Sequence, residues 1–430
     1  MRVIKSLLLG AAAGMVATAG VQAADLPVKA KPVEYVKICS AYGAGFYYIP
    51  GTDICLRVGG YVYYEFGVKG TNAVANIYGS VDGPHNADYN YYNSRTSAKV
   101  ILDARQNTAY GTLRATMSVG PTNANHATGA GMDYAYIQFA GFTWGYTNSF
   151  FSMGGAYSVV ASPALDWAWT NVFAYTAQLG NGVTASVSVE DPAGRRSGIN
   201  GTVAPLTGAV VAASNAYGGR WMPDVVGNFN VTQAWGRAQI MGAVHQVKPN
   251  SALQGVNPGV DTEYGWAIGA GIEVKTPQTG NANNSFLLQG AWTEGAVDYT
   301  GYNSSPTAGF NSLALQTFAG TGPAYAVNDG VVNLAGNLEL TEAWSVYAAY
   351  RHYWTPMLRT GFYAGWLNLE NSVQGEAEVL QAGISTIWSP VAGLDLSLDL
   401  VYSDLEVTPI VGASTSNDII TAWTRLRRNF

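Results

Sequence analysis

Residues 393–404 read GLDLSLDLVYSD, with Leu394, Leu396, Leu398, Leu400 and Tyr402 on one parity and Asp395, Ser397, Asp399, Val401 and Ser403 on the other. A period of two marks a strand whose two faces meet different surroundings. A soluble sandwich can use such a strand; a membrane barrel would turn the mostly polar face inward. The alternation recurs in ICLRVGGYVYYEFGV, where Arg57, Tyr61, Tyr63 and Glu65 oppose Val58, Val62, Tyr64, Phe66 and Val68. In RTSAKVILDAR, Arg95, Ser97, Lys99, Ile101, Asp103 and Arg105 oppose Thr96, Ala98, Val100, Leu102 and Ala104. After the short QNTAYG connection, Thr112, Arg114, Thr116 and Ser118 oppose Leu113, Ala115, Met117 and Val119, which predicts a hairpin with one polar face.

Further strand-like stretches centre on Ile137, Ile240, Ile268, Leu288, Tyr347 and Ile384. Their connections are either short, as at 389–393, or long and rich in Gly, Asn, Ser and Pro, as at 301–331. That asymmetry fits an antiparallel barrel with tight turns at one end and longer loops at the other. The closing segment, IITAWTRLRRNF, puts Ala422, Thr424, Leu426, Arg428 and Phe430 on one face, the face predicted to meet lipid. Tyr61, Trp144, Trp266, Trp344, Trp388 and Trp423 fall near strand ends, as girdles at two membrane interfaces would.

Composition narrows the choice. Charged residues make up only 12% and aromatic residues 12%, with 27 Tyr and 12 Trp, yet beyond the first residues no apolar run is long enough for a membrane helix. Arg2 and Lys5, the apolar run Leu7–Val21 and the small residues before Ala24 predict an export signal over 1–23. Losing those two basic residues makes the formal charge more negative than −6, and a nucleic-acid partner is not expected. In an exported chain Cys39 and Cys55 are expected to form a disulfide pinning an irregular extension, 24–53, to a barrel over 54–430.

In lipid an open sheet edge leaves backbone donors and acceptors unpaired, so the strands must close on themselves. The polar parity then lines a lumen, and the extension is too short to plug it. A water-filled channel follows. No Ser-His-Asp arrangement or phosphate-binding loop is present, and His85, His126, His245 and His352 lack metal-ligand spacing, so neither an enzyme nor a cofactor or metal is expected.

Residues 34–67, EYVKICSAYGAGFYYIPGTDICLRVGGYVYYEFG, closely resemble the opening of the alphaproteobacterial porins of Brucella and rhizobia. DYAYIQFAGFTWGYTNSFF at 133–151, GRWMPDVVGNFNVTQAWGRAQIMGAVHQV at 219–247 and the closing strand are similar to the same family. The resemblance implies a 16-stranded antiparallel transmembrane β-barrel, a homotrimer in the bacterial outer membrane among lipid and lipopolysaccharide, with an inward-folded third loop that narrows the pore. By that resemblance the constricting loop is SMGGAYSVVASPALDWAWTN, 152–171, whose sole formal charge is Asp166. Asp166 is expected to face water opposite a basic wall of Arg95, Lys99, Arg105 and Arg114, where opposed charges would order water and favour small hydrophilic solutes and ions. A sugar-type selective channel and a structural or adhesive barrel are the competing readings.

Overall fold

The computed structural model describes residues 37–69, 92–124, 127–155, 157–159, 164–200, 216–256, 258–301, 325, 327–333 and 335–430. The segment 1–23 and the rest of the chain before 37 lie outside the described residues. Sixteen antiparallel strands follow one another around a single wall. The first seven are β1 (Cys55–Lys69), β2 (Tyr92–Thr108), β3 (Gly111–Ala124), β4 (Ala127–Phe139), β5 (Phe142–Asn148), β6 (Trp169–Gly180) and β7 (Val183–Glu190). The next four are β8 (Asp224–Gln233), β9 (Gly236–Val247), β10 (Glu263–Lys275) and β11 (Ser285–Glu294). The last five are β12 (Glu342–Thr355), β13 (Leu358–Asn371), β14 (Gly375–Val391), β15 (Leu394–Thr408) and β16 (Thr415–Asn429).

Closure is made between the first and last strands, in register from Tyr61 with Asn429 to Lys69 with Thr421. Below that ladder Gly60 and Phe430 exchange both main-chain hydrogen bonds at 3.0 Å. The lowest edge of β1 is covered in turn by the short strand Phe46–Tyr48, paired with Cys55–Arg57. Cys39 and Cys55 form the disulfide that fixes this segment, with Phe46 buried beside them.

All but one of the turns at one end, including 109–110, 140–141 and 181–182, are two residues long. In Asn181–Gly182 both central residues have positive φ, at 52° and 75°, the geometry a tight hairpin between right-twisted strands requires. At the other end lie the long connections, and small pieces of loop sheet, Ile199–Asn200, Gly330–Val332 and Leu338–Leu340, knit two of them together.

The alternation predicted along β15 is realised in its burial: Leu398 and Leu400 are 49% and 46% exposed on the outer face, whereas Asp399 and Val401, on the opposite parity, are each 1% exposed. Leu426 and Phe430 likewise point outward. Trp266, Trp292, Trp344 and Trp366 cluster toward one rim of the apolar band. Two expected girdle members turn inward instead. Tyr61 donates to Asp133 at 2.8 Å across the lumen wall, and Trp423 is buried over Gly67, where an added Cβ would lie 2.4 Å from the indole. Parity, which puts both residues on the polar face, overrides their position near a strand end.

Because Leu400 sits midway along β15 on the lipid face, Leu400→Arg is expected to destabilise the barrel by about 2–4 kcal/mol, measurable as a shift in equilibrium urea unfolding in lipid.

Candidate functional site

β5 has only seven residues, so the chain leaves the wall early and the described residues of 149–168, here loop 3, enter the barrel. A loop inside a protein must still satisfy its backbone polar groups. Lumen side chains do this in sequence around the wall. The Phe150 N–H donates to Glu190 at 2.8 Å, and the Phe150 carbonyl accepts from Asn228 of β8 at 2.6 Å. On β9, Gln239 donates to the Phe151 carbonyl at 3.2 Å and Arg237 to that of Met153 at 2.8 Å. Tyr157 donates to Glu273 of β10 at 2.6 Å and shares a 2.6 Å hydrogen bond with Ser285 of β11. The Arg351 guanidinium of β12 lies 3.9 Å from the Tyr157 ring centroid, and the Val159 N–H reaches Asp399 of β15 at 2.9 Å.

Apolar burial reinforces this track. Phe151, Met153, Tyr157 and Leu165 of loop 3 pack with Met241, Leu287, Tyr347 and Tyr363 of the wall. Gly361 of β13 makes the approach possible: a Cβ there would lie 2.2 Å from the Tyr157 carbonyl. Loop 3 therefore lies flat against the β8 to β15 side.

Asp166 is the loop's second anchor. It accepts from Ser152 and forms a bidentate pair with Arg195 of loop 4 (191–223), in which Nη2 lies 3.2 Å from Oδ2. The Arg195 side chain is buried, sits 4.0 Å from the Tyr299 ring centroid and lies 3.4 Å from Asp298 of loop 6 (295–341). Tyr299 in turn donates to Asp224 at 2.7 Å. Gly301, at φ 84°, lets loop 6 press on Leu165, where a Cβ would lie 2.5 Å from the main chain. Burial pushes the Asp298 carboxyl up to about 7. Asp329, another buried loop 6 acid, is also raised by burial; it accepts from Ser197 and Val297 N–H groups and from Tyr217, tying loop 4 to loop 6.

The other side of the lumen carries charge. Around Asp103 the structure gathers Arg105 at 2.7 Å, Arg114 at 3.1 Å and Arg57 at 3.5 Å. Phe46 of the disulfide-held segment stacks under two of these guanidinium groups, 5.1 Å from Arg57 and 5.0 Å from Arg105. Farther along, Lys99 pairs with Asp133 at 3.0 Å. Arg95 binds Glu65 at 2.6 Å, Arg425 binds the other oxygen of the same carboxylate, and the Tyr63 ring lies between the two arginines. Arg427 stacks over Tyr61 at 4.0 Å.

The residues singled out from sequence thus separate. Arg105 and Arg114 meet at one carboxylate, while Arg95 and Lys99 belong to neighbouring ion pairs on the same wall. Asp166 does not oppose them: Arg195 claims it beneath the loop, because a carboxylate taken out of water needs a partner there. Arg237 and Arg351 hold loop 3, Arg359 lies 4.0 Å from Asp395, and Arg220 pairs with Asp191 on an exposed surface. His85 and His126 lie outside the described residues. Arg57, Glu65, Asp103, Arg425 and Arg427 were readable, since each lies on the polar parity of its strand; Arg195 and Asp298 belong to loops where parity gives no signal.

A closed lipid-facing barrel that holds a folded loop against one side and a charged wall on the other is an outer-membrane channel. The sequence pattern of the porin subfamily matches residues 25–422, and the chain belongs to that family. It is 31% identical over 342 residues to porin Omp2b of Brucella melitensis biotype 1, covering 68% of this chain and 86% of the relative. Omp2b of Brucella neotomae is 34% identical over 254 residues, covering 54% and 63%. The fold is similar to the outer membrane channel DcaP of Acinetobacter baumannii, with a TM-score of 0.63 at 16% identity, covering 89% of this chain and 99% of that one. The protein is a general porin of the bacterial outer membrane, a channel rather than an enzyme.

The raised Asp298 carboxyl fixes the sign of a pH effect. The folded state favours its proton, so the stability it contributes is complete below the unfolded value of 3.8 and is lost as pH rises through about 7. Asp298→Asn is expected to flatten the fall in thermal unfolding temperature across that window, checked by circular dichroism in detergent.

Proposed function

We propose that ions and small hydrophilic solutes diffuse down their gradients through the space between loop 3 and the wall made by β16 and β1 to β4. The observation that carries this reading is the one-sided fastening of the loop: its main chain is bonded along β8 to β15, while part-exposed charged side chains line the other wall. Phe151 and Tyr157 have their rings buried against the barrel, which supports general diffusion over a sugar-stacking track. Passage then needs no conformational cycle and no chemical step.

In the same reading residues 1–23 are removed on export, 24–53 lie at the periplasmic mouth, and the long loops face outward among lipopolysaccharide. Family membership supports a homotrimer. Loop 3 is the element that sets the size limit, and Arg195 is its positioning residue.

Liposome swelling tests this. Uptake of neutral sugars should fall smoothly with solute size and show no saturation. Arg195→Gln should raise the size limit, because breaking one side of a buried ion pair costs about 3–5 kcal/mol and loosens the loop. Saturable uptake of one sugar would favour a selective channel, and an unchanged size limit would remove Arg195 from this role.

A further inference from the structure

The basic wall runs the length of the strands rather than forming one patch. Taking β1 as a ruler, Arg105 and Arg114 stand level with Cys55, Arg57 two residues on, Arg427 level with Tyr63, and Arg425 level with Glu65. Two residues of strand span about 6.6 Å. Arg57 and Arg427 are three such steps apart, with the buried Lys99 level with Tyr61 between them, and the other cationic groups follow one another at single steps.

The carboxylates that neutralise these cations lie beneath them. Around Asp103, whose side chain is 1% exposed, Arg57 is 46% exposed and Arg105 and Arg114 are each 26% exposed. The same layering holds for Glu65, fully buried, under Arg425, 16% exposed. Asp133 is the accessible acid among the described residues of this wall, and it is engaged by Lys99, Tyr61 and Ser118. Across the lumen Asp166 is taken up by Arg195, Glu273 by Arg237 and Tyr157, and Asp399 by Val159 and Ser385, while Asp395, 31% exposed, lies 4.0 Å from Arg359. Seven cations, Arg57, Arg95, Lys99, Arg105, Arg114, Arg425 and Arg427, stand against three acids, Glu65, Asp103 and Asp133, among the described residues of this wall, and the charge is stratified, with guanidinium groups toward the water. In a narrow lumen bounded by low-dielectric protein, the nearer layer dominates the potential a solute experiences.

We infer that this wall is an anion rail, giving the channel a preference for small solutes that carry carboxylate groups, which the guanidinium forks of Arg57, Arg105, Arg114, Arg425 and Arg427 pass along by successive hydrogen-bonded contacts. Arginine suits the task because its planar fork matches a carboxylate in two-point contact. Several exchangeable positions allow the solute to leave as readily as it enters. The rail rests on the open-channel reading above and specifies which solutes that channel favours.

Purified protein in a planar bilayer, under a tenfold KCl gradient, should give a reversal potential displaced toward the chloride equilibrium value. The displacement should be largest near 10 mM and collapse near 1 M, as the screening length falls from about 30 Å to about 3 Å. Added potassium succinate should reduce the chloride current at millimolar concentration. Arg427→Gln, which removes a stacked cation without stripping a partner from Asp103 or Glu65, should move the reversal potential toward zero with the barrel intact; a triple replacement of Arg57, Arg105 and Arg114 should move it further. A conducting wild-type channel whose potential lies at zero or on the potassium side would overturn the rail and leave the porin intact. A folded barrel that does not conduct would overturn both.

Discussion

Every feature of this protein depends on one constraint: in a lipid interior a sheet edge has nothing to bond to. The seam between β1 and β16 removes the last edge, and the exchange between Gly60 and Phe430 extends it to the chain's final residue. Once the sheet is closed, alternation along each strand becomes a division of space. One parity must dissolve in lipid, and the other is free to carry arginines, carboxylates and a folded loop. Residues that are costly in a soluble core, such as Asp103 and Glu65, are held here by partners that the same closure brings to their sides.

Loop 3 shows how a segment without regular structure can be positioned inside a pore. Its main chain is bonded by side chains of β7, β8, β9 and β15, its Tyr157 hydroxyl by β10 and β11, and its apolar residues share a cluster with the wall. Asp166 and Arg195 then tie its far end to the outer loops. Buried ion pairs are weak contributors to net stability, but breaking one leaves an uncompensated charge, which makes such a pair a good device for fixing one arrangement. The constriction and the outer loop assembly are in this way a single mechanical unit.

Most of the barrel was legible in the chain. Period-two patterning gave the inward and outward faces of β1, β2, β3, β15 and β16, and it placed Arg95, Lys99, Arg105 and Arg114 on the lumen wall. Where proximity to a strand end competed with parity, as for Tyr61 and Trp423, parity decided the outcome, since turning one residue outward would require its whole strand to slip by one position. The partner of Asp166 was not legible. Arg195 comes from a different loop, and pairing between loops is set by how the barrel juxtaposes them, which no local pattern encodes. The layering of acids beneath arginines is likewise invisible in a linear string, because Asp103 and Arg105 share a parity and differ only in how far their side chains reach.

If solutes travel beside the wall of β16 and β1 to β4 while the opposite wall is sealed beneath loop 3, the two walls differ in their access to water. The most direct measurement compares two single-cysteine replacements during current recording: Arg427→Cys on the open wall and Leu287→Cys beneath the loop, where Leu287 is wholly buried. A charged, water-soluble thiol reagent should react quickly with the first and lower its current while leaving the second untouched. Rapid modification at 287 with protection at 427 would place the water path on the wrong side of the loop and contradict the account.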